Sequence, residues 1–115
     1  MDIRLLVIRT ANPQQLAAFY SLLGLSFEYH RHGQSPFHYS TTTGATVLEI
    51  YPLAKEQTQA DKHLRIGFGL DHFETTIATL KQHHVPFFSE PAQTDYGYMA
   101  VIADPDGRKV ELYQK

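Results

Sequence analysis

Two short runs carry the most chemistry in this chain: Leu48-Glu49-Ile50-Tyr51 and, 62 residues later (111 − 49), Val110-Glu111-Leu112-Tyr113. Each sets a carboxylate two residues before a phenol. A carboxylate can move a proton or give lone pairs to a divalent cation, and a tyrosine hydroxyl can donate a hydrogen bond to it. His63 and Arg65 stand between the two runs. A guanidinium stays charged and presents a planar fork of donors that matches carboxylates. An imidazole can shuttle a proton or ligate a metal. His30 and His32 add a pair two residues apart, and His38 a further ring. Cysteine is absent, which excludes thiolate catalysis, thiolate metal sites and a disulfide framework.

These groups act together only if strands aim them at one place. Side chains alternate across a strand, so Leu48 and Ile50 share one face while Glu49 and Tyr51 share the other. The same parity sets Val110 and Leu112 against Glu111 and Tyr113. The apolar pairs suit packing under a helix, which leaves both glutamates on the opposite, concave face. In the run from His63 to Leu70, Leu64, Ile66 and Phe68 suit the helix side. His63, Arg65, Gly67 and Gly69 fall with the glutamates. Two readings of this group stay open. Arg65 can offset the glutamates in a structural ion-pair cluster. Alternatively the cluster floors a pocket, and Arg65 also holds an anionic or carbonyl-bearing small molecule. His30 and His32 share a strand face with no acidic partner beside them in sequence, and are expected to be solvated. His38 lines the concave face or merely packs, depending on register. His72, His83 and His84 border a helix and are expected at the surface. Tyr51, Tyr96, Tyr98 and Tyr113 are expected near the concave face or its rim.

The elements follow from local signals. Ile3 to Arg9 reads as a strand. Asn12-Pro13 supplies an N-cap and a proline at the first helical position, with Leu16, Phe19, Tyr20 and Leu23 at helical spacing. Strands are expected over 25–32, 36–42 and 45–51, the last two joined by a turn at Thr43-Gly44. Residues 53–62 read as a polar linker. The order then repeats: a strand over 63–70, and a helix opened by an Asp71/Glu74 capping box with Phe73, Ile77 and Leu80 on one face. Strands over 86–90, 98–103 and 108–113 complete the repeat. Asp104-Pro105-Asp106-Gly107 is read as a turn former. The helices align at nearly the offset of the glutamates, Leu16 with Ile77 and Phe19 with Leu80. The plan is βαβββ twice.

With 115 residues, the chain has room for one domain or two small modules. Ten basic against 12 acidic residues, net −2, give no electrostatic reason to bind nucleic acid. No apolar run is long enough for a membrane helix. Met1-Asp2-Ile3-Arg4 leads straight into a strand, so no signal peptide is expected, and a cytoplasmic location is.

On Ala103-Asp104-Pro105-Asp106-Gly107 through Tyr113, with Ala18-Phe19-Tyr20 and Leu23-Gly24-Leu25, the chain resembles the vicinal oxygen chelate superfamily. That superfamily includes glyoxalase I (lactoylglutathione lyase), bleomycin-resistance proteins and extradiol dioxygenases. The resemblance implies an α+β fold of two βαβββ modules whose curved mixed sheets form a cup. The implied domain is 1–115, with module one 1–52, a linker 53–62 and module two 63–115. In the glyoxalase pattern a divalent metal takes ligands from the first, fourth, fifth and eighth strands. The matching positions here are Leu5, Glu49, Arg65 and Glu111. Leu5 has no lone pair and Arg65 is donor-only, so no metal is favoured there. If one binds, Glu49, Glu111 and His63 are the implied ligands. The expected function is binding of a small organic molecule by Arg65, Glu49, Glu111, His63, Tyr51, Tyr113 and Leu5. The alternative is a metal-dependent lyase, isomerase or dioxygenase-like enzyme with Glu111 or Glu49 as base. A homodimer is expected, with no membrane or nucleic-acid partner.

Overall fold

Asn12 begins the first helix as its chemistry predicts: its side chain accepts a hydrogen bond from the Gln15 amide at 3.1 Å, and Pro13 follows. In a computed structural model describing residues 1–115, the element order is βαβββ twice. The elements are β1 (Leu5–Thr10), α1 (Pro13–Ser21), β2 (Glu28–His30), β3 (His38–Thr43) and β4 (Thr46–Pro52). Then come β5 (Ile66–Leu70), α2 (Phe73–Gln82), β6 (Phe87–Thr94), β7 (Gly97–Ala103) and β8 (Lys109–Gln114). The chain divides into two compact units, Met1–Asp61 and Lys62–Lys115, each with its own four-stranded sheet. No helix is long and apolar enough to cross a membrane.

In unit one the strand order is β1-β4-β3-β2, with β1 and β4 parallel and the other pairs antiparallel. Ile8, Leu48 and Ile50 are buried on the α1 side together with Leu16, Phe19 and Tyr20. Val7 lies opposite Glu49, and Glu49 opposite Ser40, so the other face carries the carboxylate. Unit two repeats the arrangement as β5-β8-β7-β6. Val110 and Leu112 are fully buried, with Phe73, Ile77 and Leu80 of α2 in the same core. Gly67 faces Glu111 and Gly69 faces Tyr113 across the parallel pair. The parity read from the sequence therefore holds in both units.

Strands β2 and β5 are shorter than the 25–32 and 63–70 expected, and three further expectations change. The residue capping α2 is His72, with no side-chain cap, and Asp71 instead pairs with Lys115 at 3.3 Å. The helix starts one residue too late for Asp71 to reach its free amides, so no capping box forms. Strand β6 runs beyond Glu90 through Pro91 to Thr94. It lies at the sheet edge with register shifts between Phe87 and Ala92, where a missing N–H is tolerated. Finally, the sheets stay open and are not strongly curled.

The Asp104–Arg108 turn joins β7 to β8 and contains a buried ionic knot. Asp104 Oδ1 accepts from the amides of Asp106 and Arg108 at 2.9 and 3.0 Å. The Arg108 guanidinium, 1% exposed, donates to Asp104 at 3.1 Å and to Asp106 at 2.8 Å. Burial works against its charge, but the hydrogen bonds and charges of the two aspartates outweigh it and hold its pKa above the ordinary value. Gly107 supplies the positive φ of 88° that closes the turn.

Candidate functional site

Glu111 is the centre of a polar group in unit two. Arg65, immediately before β5, donates through Nε to Glu111 Oε2 at 2.5 Å, and the Tyr113 hydroxyl donates to Oε1. Tyr113 reaches this position because Gly67 leaves room: a Cβ there would meet Tyr113 Cε2 at 3.2 Å and Glu111 Cβ at 3.7 Å. The Tyr113 hydrogen bond, followed by that of Arg65, lowers the Glu111 pKa despite partial burial, so it stands as a carboxylate. The same bond raises the Tyr113 pKa and keeps its proton in place. These three side chains border a cavity of about 510 Å³ with Thr94, Tyr96 and Met99. Arg65 is 48% exposed on its side chain, and no hydrogen bond occupies its two terminal nitrogens.

Glu49, in unit one, has a different neighbour. His38 Nε2 lies 3.3 Å from Glu49 Oε2, with His38 fully buried and Glu49 nearly so. His38 stacks on Tyr51 with ring centroids 4.2 Å apart and planes 8° apart. The guanidinium of Arg9 stands 5.0 Å from the centre of the Tyr51 ring. His30 pairs with His38 across the β2–β3 hairpin, and the His30 and His32 rings are centred 4.9 and 5.3 Å from that of His38. One donor atom from each of His30, His32, His38 and Glu49 falls within 4.8 Å of the others. The expectation that His30 and His32 are merely solvated is therefore corrected: His32 is exposed, but His30 is half-buried and both join an acidic partner. The missing signal was register. A two-residue loop at Gly44-Ala45 sets Glu49 opposite Ser40, which carries His38 to the glutamate's face.

The remaining candidates separate. Leu5 opens β1 on the Glu49 face and is 55% exposed, with no atom that can ligate. His63 is exposed and precedes the first residue of β5 by three positions. Tyr96 is 83% exposed at the cavity wall, while Tyr98 packs edge-on against Phe73 under α2. A smaller hollow of about 320 Å³ in unit one, walled by Tyr29, Phe37 and Tyr39, has no charged lining. At the four positions where the resemblance implies a metal, the residues do not fit one. Leu5 offers no donor, and the third position holds a guanidinium already hydrogen-bonded to the fourth ligand.

Comparison with known proteins agrees on the fold. Residues 3–112 match the model of the Glyoxalase/Bleomycin resistance protein/Dioxygenase superfamily. No curated protein matches the sequence closely enough to add to this. TnmS3, an antibiotic binding protein from Streptomyces sp. CB03234, superposes with a TM-score of 0.80 at 20% identity, covering 99% of this chain and 95% of that one. The oxidase ChaP-H2 gives 0.79 at 15% identity, covering 100% and 94%. A lactoylglutathione lyase from Agrobacterium tumefaciens gives 0.72 at 18% identity, covering 98% and 92%. At such identities the likeness concerns the fold alone. With two βαβββ units, a glutamate in the last strand of each, and a family match over nearly the whole length, the chain belongs to the glyoxalase/bleomycin-resistance/dioxygenase superfamily.

Proposed function

We propose that the chain binds a small organic molecule bearing a carboxylate or carbonyl group at the Glu111 face of unit two, with no metal at the family's positions. The observation that carries this reading is the state of Arg65. Its Nε is committed to Glu111, which restrains the guanidinium, and Arg65 lines the cavity with no hydrogen bond on its terminal nitrogens. A fork held in place this way loses little freedom when it binds an oxygen pair. Tyr96, Tyr113 and Met99 add aromatic and apolar wall on which an organic body can rest. The fold-level likeness to an antibiotic binding protein agrees with a binding role.

An enzyme of the glyoxalase type would need Glu111 or Glu49 to take a proton near neutral pH. A general base works best with a pKa close to the working pH. Tyr113 and Arg65 move Glu111 the other way. Glu49, Tyr51, Leu5 and His63 are assigned no contact with the ligand in this reading. A second copy of the chain covering the open sheet faces is part of it.

The test is a thermal-shift screen with benzoate, salicylate and related aromatic acids, because a ligand that binds only the folded state raises its midpoint. At least one acid is expected to raise the midpoint of the native chain and to do nothing for Arg65→Gln. If the whole panel has no effect, or if the shift survives in Arg65→Gln, the reading is wrong.

A further inference from the structure

We infer that His30, His32, His38 and Glu49 form a site for a divalent metal of the zinc class, at a place where the family's own metal pattern puts only Glu49. The inference concerns unit one and does not depend on the ligand pocket of unit two.

The donor set comes first. Three imidazoles and one carboxylate suit zinc and its neighbours in preference to magnesium or calcium, which take oxygen. Zinc bonds of about 2.0–2.1 Å in a tetrahedral shell set neighbouring donors about 3.3–3.4 Å apart. His38 Nε2 and Glu49 Oε2 already stand at 3.3 Å, and all four donors lie within 4.8 Å of each other. The two histidines that must still close in are the more exposed ones, so a small movement of His30 and His32 completes the shell.

The second observation is independent of clustering. His38 Nδ1 faces the Pro36 carbonyl oxygen at 3.0 Å. A carbonyl only accepts, so Nδ1 carries the proton there, which leaves Nε2 as the nitrogen that can face a metal. That Nε2 is buried and makes no hydrogen bond, since its approach to Glu49 is close but misaligned. Nε2 of His30 is likewise buried without a hydrogen-bond partner. Buried polar atoms are nearly always satisfied, and two orphaned nitrogens in one cluster ask for a common partner. A proton on His38 Nε2 would not supply it, because the line to the carboxylate is wrong for a hydrogen bond. A cation between the rings would. A carbonyl holding the far nitrogen of a ligating histidine is also the usual support for a metal site, and the stack on Tyr51 fixes the ring plane. Arg31, between His30 and His32 in sequence, places its guanidinium over Phe37.

The experiment is calorimetric titration of the chelator-stripped full chain with Zn2+, with Co2+ as an optical probe. The expected result is one Zn2+ per chain and a visible Co2+ band of four-coordinate type. In the double variant His30→Gln/His32→Gln the affinity should fall by about 100-fold, at the upper end of the effect of an outer-shell partner alone, and the Co2+ band should vanish. Both residues are accessible enough for the variant to fold, which circular dichroism checks. Glu111→Gln should bind zinc like the native chain. Absence of stoichiometric binding, binding indifferent to the double variant, or binding lost in Glu111→Gln would each overturn the inference. None of those results would alter the effect of Arg65→Gln on organic ligands.

Discussion

At the scale of single residues, Glu111 ties fold and chemistry together. Its pKa is held below the ordinary 4.5 by Tyr113 first and Arg65 second. A carboxylate with a depressed folded pKa contributes stability that is complete above its unfolded value. That contribution disappears as pH falls through the folded value. Urea unfolding should therefore show the native chain losing stability more steeply than Glu111→Gln below about pH 4.5, with parallel curves above it. Equal acid slopes would mean that the group contributes nothing. The pairing of Arg65 with Glu111 was legible in the sequence, because strand parity alone puts both on one face. The histidine cluster was not. It depends on the length of the β2–β3 hairpin and on a two-residue loop before β4, and alternation of residue types encodes neither.

At the scale of elements, the signals that worked were those with a local cause. Asn12-Pro13 starts α1 and Asp106-Gly107 turns β7 into β8 because each motif satisfies its own backbone. The Asp71/Glu74 pattern misled because the helix begins one residue later, with His72 at the cap, and leaves Asp71 outside it. The β7–β8 turn holds more than its motif announces. A sequence rule reads the two aspartates as turn formers, yet they also neutralise a guanidinium that is 1% exposed. Removing one partner of a buried ion pair typically costs about 3–5 kcal/mol. Asp106 still faces Arg108 in Asp104→Ala, so the lower figure applies, and chemical denaturation should show a loss of about 3 kcal/mol. A loss under about 1 kcal/mol, the range of a surface pair, would contradict the burial.

At the scale of the whole molecule, the duplication has given equivalent positions unlike surroundings. Glu49 faces imidazoles, and Glu111 faces a guanidinium and a phenol. Both sheets are open, and Leu5 and Tyr96 remain among the exposed apolar groups. A second copy covering such faces predicts a sedimenting species of twice the 13.1 kDa chain mass at micromolar protein. A species of the chain mass alone would reject the dimer. The parallel pairing described for each sheet also bears on how the chain is made. Strand β1 pairs only with β4, and β5 only with β8, so each opening strand waits for the closing strand of its unit. On the ribosome, β1 stays unpaired until residue 52 has emerged, whereas unit one needs nothing from unit two to finish its sheet. The nascent chain thus passes through two separate intervals of exposed strand edge, and slow translation just before β4 or β8 would lengthen the time in which it can aggregate.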